Sequence, residues 1–282
     1  GESMKIARLP LAKLTTIGVG GEAEVWTVET LADLKTATQA PYRVLGNGSN
    51  LLVSDEGVPE RVIRLSGEFA QWRPDLSGWV GAGVLVPSLV QASARLGLSG
   101  LEGLYGIPAQ VGGAVKMNAG TRFGEMADAL ELVELYHRGS LRVYRPAELG
   151  FGYRHSLLPE GSIVTRVKLR LTPSRPEAVQ ARIALVDAAR KGQPKKKSAG
   201  CAFKNPPGDA AGRLIEAHGF KGTTVGRAMI SLEHGNFLVN LGGATAAEMY
   251  ALIQRVQAVL PLEVEWEIWG EIGEKSTSEV SR

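Results

Sequence analysis

GLEGLYGIPAQVGGAVKMNAG, residues Gly100–Gly120, decides the reading of this chain. Its twenty-one positions hold six glycines and only two charged residues, Glu102 and Lys116. That composition does not make an amphipathic helix. Glycine at this density lets backbone approach something flat or something carrying phosphates. The stretch is not repetitive, which separates it from a linker. The spacing predicts a loop wrapped around a bound cofactor.

Bulk properties set the frame. The 282 residues suffice for two modest domains or one large one. With 44% hydrophobic and 22% charged residues the composition is that of a soluble globular protein. No apolar run approaches the roughly 18 residues a membrane span needs, and no signal peptide opens the chain. Gly1-Glu2-Ser3 reads as a cloning remnant ahead of a native start at Met4. The single cysteine, Cys201, excludes an internal disulfide and fits a reducing cytoplasm. A net charge of +3 suits an acidic small ligand and is too weak to argue for nucleic acid.

Local signals place the elements. Thr30 with Asp33 caps a helix that Pro41 ends. Tyr42–Leu45, the turn Gly46–Asn50 and Leu51–Val53 read as strand, tight turn, strand. Val62–Leu65 and Trp79–Val80 are further strands, and Pro87–Leu96 is a helix closed by Gly97. Leu130–Tyr136 and Leu141–Tyr144 form a hairpin around Arg138-Gly139-Ser140. Ile163–Leu171 alternates as a half-buried strand. Pro173 and Pro176 mark a boundary before a helix at Glu177–Arg190. Thr245 with Glu248 caps a last helix whose face is Met249, Leu252, Ile253, Val256 and Leu260. Leu262–Ile268 alternates apolar residues with Glu263, Glu265 and Glu267, which predicts a strand with three glutamates on one face.

Several segments leave two readings open. In LGNGSN, Leu45–Asn50, successive N–H groups can form an anion nest, or the dipeptide makes an ordinary hairpin turn. In FGYRHS, Phe151–Ser156, Arg154 can orient a carboxylate or lie on Tyr153 at the surface. Cys201 is either a small buried hydrophobe or a thiol whose pKa the basic run Lys195–Lys197 depresses. The four histidines are scattered, so no metal site is expected. No dinucleotide fingerprint and no P-loop is present.

Taken in order, TTIGVGGEAEVW (Thr15–Trp26), LGNGSN, the glycine-rich stretch, FGYRHS, GCAFKNPPG (Gly200–Gly208) and AGRLIEAHGFKG (Ala211–Gly222) resemble the UDP-N-acetylenolpyruvoylglucosamine reductase (MurB) family. The resemblance runs from about Leu14 to Gly270, in the compact form that lacks an extra tyrosine-bearing loop. It implies an α+β fold: a vanillyl-alcohol-oxidase-type FAD-binding module of two subdomains, 1–65 and 66–173. A connecting helix, 174–190, a substrate-binding domain, 191–273, and a tail, 274–282, complete the chain. It implies noncovalent FAD, NADPH as reductant and a UDP-sugar substrate in peptidoglycan precursor synthesis. It implies a cytoplasmic enzyme with no nucleic acid, membrane or obligate protein partner.

The resemblance also assigns residues. Arg154, Cys201 and Glu265 are the catalytic set. Gly46, Asn47, Gly48, Ser49, Asn50, Ile107, Pro108, Gly112, Gly113, Asn118, Ala119 and Gly120 hold FAD. Tyr153, Asn205, Arg122, Lys191 and His234 meet the substrate. Three positions depart from the family. Cys201 stands where a serine donates a proton to the enolate, which predicts a pH profile sensitive to the thiol. Arg122 replaces a tyrosine and either meets the diphosphate or faces solvent. Glu267 replaces an arginine. Two other readings compete: an FAD-dependent oxidase of an alcohol or sugar, and a noncatalytic UDP-sugar-binding protein. The glycine-rich stretch has no His or Cys to tether flavin, which counts against a covalent oxidase.

Overall fold

The structure, a computed structural model, describes residues 4–194 and 197–273. Gly1–Ser3, Lys195 and Lys196 of the basic run and the tail 274–282 lie outside the described residues. The chain first builds a four-stranded sheet in the spatial order Lys5–Pro10, Glu22–Val28, Arg61–Leu65, Tyr42–Val44. The first pair is antiparallel and the other two are parallel. Helix Leu31–Ala37 makes the crossover that a parallel pair requires. It begins where expected: the Thr30 side chain accepts from Asp33 N, and the Asp33 carboxylate accepts from Thr30 N.

A second sheet is antiparallel throughout, in the order Ser140–Tyr144, Leu130–His137, Ile163–Leu169, Trp79–Gly81. The expected hairpin turn is made by Arg138 and Gly139, both at positive φ, as a two-residue turn matched to strand twist demands. A third sheet, Ser198–Cys201, Phe237–Asn240, Ala228–Ile230 and Thr224–Val225, belongs to the last third. Helix Ala246–Gln257 covers it, burying Met249, Leu252, Ile253 and Val256 as its spacing requires.

Three apolar cores result, and they interlock. Ile17, Val19 and Leu52 from the N-terminal region pack into the C-terminal core. Trp269 does the reverse, packing with Leu11, Val25 and Val62. The strand Glu267–Trp269 pairs in parallel with Leu51–Val53, bringing this part of the C-terminal region onto the N-terminal module.

Three local expectations are corrected. The glycine-rich stretch is not one loop, because Val111–Met117 forms a helix that contains Gly112 and Gly113. Packing overrides propensity there: a Cβ on Gly112 would sit 3.2 Å from Ala82 Cβ, so the helix lies close on its neighbour because it lacks side chains. The LGNGSN turn closes no hairpin. The strand before it pairs with Arg61–Leu65, whereas the strand after it pairs with Glu267–Trp269. Leu262–Ile268 is not one strand either. Val264 makes an isolated bridge to Phe203, the chain bends at Trp266, and only Glu267–Trp269 is extended in a ladder.

Candidate active site

The turn Gly46–Asn50 stands between two sheets, and its shape is enforced. Gly48 has φ +63°, and a Cβ there would lie 2.2 Å from Leu14 O. Thr16 fastens the turn, its N–H donating to Gly48 O at 2.9 Å and its hydroxyl to Ser198 O at 2.7 Å. The Asn47 amide donates to Pro108 O, which ties the turn to the glycine-rich stretch.

These segments line a cavity of about 430 Å³. All of Gly46–Asn50 line it, with Gly112, Gly113, Lys116 and Met117 from the helix and Leu158–Val164 from the strand approach. Glu265, Trp266, Glu267 and Trp269 close its far side. Two buried polar atoms of lining residues, Ser162 Oγ and Trp266 Nε1, have no hydrogen-bond partner among the described residues. Gly113 has nothing within 4 Å of where a Cβ would be, so its face is open to a ligand. A wider surface hollow of about 610 Å³ beside Trp79, Arg166 and Lys168 holds none of the predicted site residues.

The remaining predicted cofactor residues lie elsewhere. Ile107 and Pro108 precede the lining residues Ala109 and Gln110. Asn118 caps the helix in the left-handed conformation at φ +47° and is fully buried. Its side-chain amide donates to Glu125 Oε2 at 3.1 Å and to Gly152 O at 2.8 Å, while its Oδ1 accepts from Ala127 N at 3.0 Å. Ala119 is buried, and Gly120 opens a short hairpin with Gly124–Glu125. This segment grips an arginine instead of lining the cavity.

That arginine is Arg154. Its Nη2 donates to Gly120 O at 2.6 Å and its Nη1 to Asn118 O at 3.5 Å. Its Nη1 lies 3.6 Å from Glu125 Oε1 and its Nε 4.0 Å from Glu265 Oε1, with the side chain 11% exposed. Tyr153 stacks its ring on the guanidinium at 4.9 Å, so the stacked arginine is real but is not a surface arginine.

The three glutamates have three fates. Glu263 is exposed and pairs with Lys204 at 3.3 Å. Glu267 pairs with Lys116 at 3.5 Å and accepts from Trp269 Nε1 at 3.0 Å. Glu265 alone turns inward, its side chain 13% exposed. Backbone bonds set this arrangement: Glu265 N donates to Ala202 O at 2.7 Å, Glu267 N to Asn50 O at 3.0 Å, and Asn50 Nδ2 to Glu265 O at 3.3 Å. Burial pushes the Glu265 carboxyl up to about 6, although Arg154 and Lys204 pull the other way.

Cys201, half-buried at the end of its strand, completes the group. Burial, and then the Glu265 charge, push its thiol up to about 12, against the opposing pull of Arg154 and Arg190. This corrects the expectation of a depressed or pH-sensitive thiol, because desolvation outweighs the neighbouring cations. A neutral thiol, a buried guanidinium and a carboxyl that titrates near neutrality thus converge from three distant segments. The arrangement can stabilise a developing anion and deliver a proton to it.

Of the predicted substrate residues, Tyr153, stacked on Arg154, reaches Asn205. The Tyr153 hydroxyl accepts from Asn205 N at 3.3 Å, and Asn205 Oδ1 accepts from Ala211 N at 2.9 Å. Arg122 is exposed at the tip of the Gly120–Glu125 hairpin with its guanidinium 4.9 Å from the Phe123 ring centroid. Lys191 is exposed beyond helix Pro176–Ala189. His234 packs on Gly212 and Phe237, and its Nδ1 accepts from Asn236 N. Burial, and then Lys221, lower its pKa. Sequence reasoning missed Glu125, Lys116 as the partner of Glu267, Ser162 and Trp266. None has a local signature, since each acquires its role from a distant segment.

The chain is similar to known proteins over nearly its whole length. Residues 193–272 match the model for the UDP-N-acetylenolpyruvoylglucosamine reductase C-terminal domain, and residues 23–138 match an FAD binding domain. The chain is 70% identical over 266 residues to a UDP-N-acetylenolpyruvoylglucosamine reductase of Thermus thermophilus, covering 94% of this chain and 100% of the relative. It is 56% identical over 280 residues to the Deinococcus radiodurans protein of the same name, covering 95% and 97%. It superposes on the crystal structure of the Thermus caldophilus reductase with TM-score 0.93 at 68% identity, covering 95% of this chain and 100% of that one.

Proposed function

This chain belongs to the UDP-N-acetylenolpyruvoylglucosamine reductase family, and from that premise we propose how its residues carry the reaction. The reaction is the FAD-dependent reduction by NADPH of UDP-N-acetylglucosamine enolpyruvate to UDP-N-acetylmuramate, in peptidoglycan precursor synthesis. The fold is the α+β FAD-binding module of two subdomains with a smaller C-terminal domain. We take the divisions as 1–65, 66–173, 174–190 and 191–273, with a tail from 274. The C-terminal core supports the division near 191, although Ile17, Val19 and Leu52 pack into it, whereas Trp26, Val28, Ile63 and Leu65 share one core with residues of 66–173.

The residues present fit FAD. The turn Gly46–Asn50 offers backbone N–H groups for a pyrophosphate. Gly113 leaves an open helix face on the cavity wall, and Gly112 lets that helix lie close on Ala82. Bound FAD, held by Gly46–Asn50 and the Gly113 face, would supply hydride transfer from NADPH to the enolpyruvyl carbon distal to the carboxylate. Arg154 then meets the negative charge that develops on the substrate carboxyl as an enolate. Its placement in a largely water-excluded site strengthens that interaction. Cys201 Sγ holds the proton that the enolate carbon receives. Its thiol carries that proton at all physiological pH values, because it is pushed up to about 12. Glu265 keeps Arg154 and Cys201 in one cluster and raises the thiol further.

The convergence of Arg154, Cys201 and Glu265 is the observation that carries this assignment. Tyr153, Asn205, Arg122, Lys191 and His234 are the proposed contacts of the UDP-sugar. The cytoplasm is the proposed compartment and no obligate protein partner is proposed. A lone cysteine supports the first, and no helix among the described residues is long and apolar enough to cross a membrane. The test is optical. Purified protein is yellow, bleaches with NADPH and recovers on addition of the enolpyruvyl substrate; bleaching without recovery overturns the assignment.

A further inference from the structure

Arg154 is held by more than the two groups its role requires. Its backbone sits in the left-handed region at φ +50°, closed by reciprocal bonds in which Gly152 N donates to His155 O and His155 N to Gly152 O. Its guanidinium then spans from Glu265 on the inner side to Glu125 on the outer side. The two carboxylates differ in kind. Glu265 sits beside Cys201 within the reaction centre. Glu125 is 33% exposed, lies on the hairpin Gly120–Thr121/Gly124–Glu125 and is opposite Gly120 in register.

That register matters. Gly120 O takes one arm of the guanidinium at 2.6 Å, and the Glu125 opposite takes the other at 3.6 Å. Glu125 is no loose surface counterion. Its Oε2 accepts from the side-chain amide of Asn118, which is 0% exposed and has every polar atom of that amide engaged. One oxygen is therefore fixed to the buried scaffold, and the other is presented to Arg154. A charged pair with one member clamped keeps its geometry better than an exposed pair free to move.

We propose that Glu125 is a positioning residue that, clamped by Asn118, fixes the Arg154 guanidinium toward Cys201 and Glu265 without itself touching substrate. This rests on the reading of Arg154 as the group that meets the developing charge. It accounts for why the segment after the glycine-rich helix is built around an arginine instead of around the cavity. It also gives Arg154 an anchor independent of Glu265, so that the guanidinium stays in place when the charge of the reaction centre changes.

The test separates the two half-reactions of the flavin-loaded enzyme by stopped flow. The variants are E125Q, E125A, E125D, R154A, E125A/R154A and E125Q/R154A. E125A is expected to slow reoxidation by the enolpyruvyl substrate roughly 10- to 100-fold. Flavin reduction by NADPH and the FAD dissociation constant stay within about twofold, as a general loss of structure would not allow. E125D recovers part of the rate. In the R154A background, E125A costs nothing further, because its target is gone. If E125A does not load flavin, the same comparison is read on E125Q and E125Q/R154A, where the side chain keeps its shape. An unchanged rate in E125A or E125Q, or a loss that multiplies with that of R154A, overturns the role of Glu125 alone. A wild-type reoxidation rate in R154A overturns the reading of Arg154 and the proposal with it.

Discussion

Arg154 Nε lies 4.0 Å from Glu265 Oε1, yet the Glu265 carboxyl is still pushed up to about 6. Desolvation therefore exceeds the attraction of the guanidinium. The folded protein holds this proton more tightly than the unfolded chain does, so stability falls as pH rises from the ordinary carboxylate range through about 6. Above that window the buried charge costs roughly 2 kcal/mol. E265Q apoprotein is expected to melt a few degrees above wild type at pH 8. The gap should close as the pH is lowered toward 4.5. A calorimetric series showing an equal gap at both ends of the range would refute this account.

The Cys201 thiol, pushed up to about 12, gives the second prediction. C201S keeps substantial turnover because a hydroxyl also carries a proton at neutral pH. C201A loses roughly 10²- to 10⁴-fold in the step that consumes the enolpyruvyl substrate, while NADPH still bleaches the flavin. The pH profile of wild type shows no thiol limb between pH 7 and 10, and iodoacetamide modifies Cys201 slowly at pH 8. An alanine variant with unchanged turnover places the donor elsewhere.

Two glycines of the cofactor cavity separate the needs of the fold from those of the ligand. Gly48 is at φ +63°, and Leu14 O lies 2.2 Å from where its Cβ would stand. Gly113 sits in a helix with nothing within 4 Å of the corresponding point. G48A is expected to be destabilised by at least about 2 kcal/mol, since left-handed strain and a backbone clash add. G113A is expected to melt at or slightly above wild type, because alanine favours helix over glycine by up to about 1 kcal/mol. It should nevertheless bind FAD at least tenfold more weakly, its methyl intruding on the open face. Fluorescence titration of the apoproteins with FAD, beside their melting curves, tests both. Tight flavin binding by G113A would mean that the helix face is not a cofactor wall.

What the sequence made legible was local. The capping boxes at Thr30 and Thr245, the Arg138-Gly139 turn and the apolar face of Ala246–Gln257 depend on residues within one or two turns of each other, and each formed as read. The helix at Val111–Met117 did not show, because two glycines argue against a helix until Ala82 is packed against Gly112. The three glutamates looked equivalent because alternation alone cannot register a bend at Trp266 or a bridge from Val264 to Phe203. Only the family resemblance singled out Glu265. The pairing of Lys116 with Glu267, and that of Glu125 with Arg154, link segments far apart in the chain and leave no periodic trace.

The last prediction concerns how the C-terminal domain is fastened to the cofactor module. Helix Ala246–Gln257 is capped by its own Thr245 through Glu248 N, which leaves the amides of Ala246 and Ala247 without an intrahelical partner. Asp55, from the loop after Leu51–Val53, fills that gap: Ala246 N donates to its Oδ1 at 2.7 Å and Ala247 N to its Oδ2 at 3.1 Å. A carboxylate at a helix N-terminus gains from both hydrogen bonds and the helix dipole. The same contact joins the strand Leu51–Val53, which follows the turn Gly46–Asn50, to the domain that carries Cys201. D55A is therefore expected to cost about 1–2 kcal/mol in stability, and D55N to recover part of it through a single amide oxygen. Because the bond spans the two halves of the site, D55A should also raise KM for the UDP-sugar more than it lowers flavin affinity. Denaturant melts with steady-state kinetics decide this. An unaltered midpoint in D55A would show that the helix end is satisfied without Asp55, and a fall in FAD affinity alone would place the contact wholly within the cofactor module.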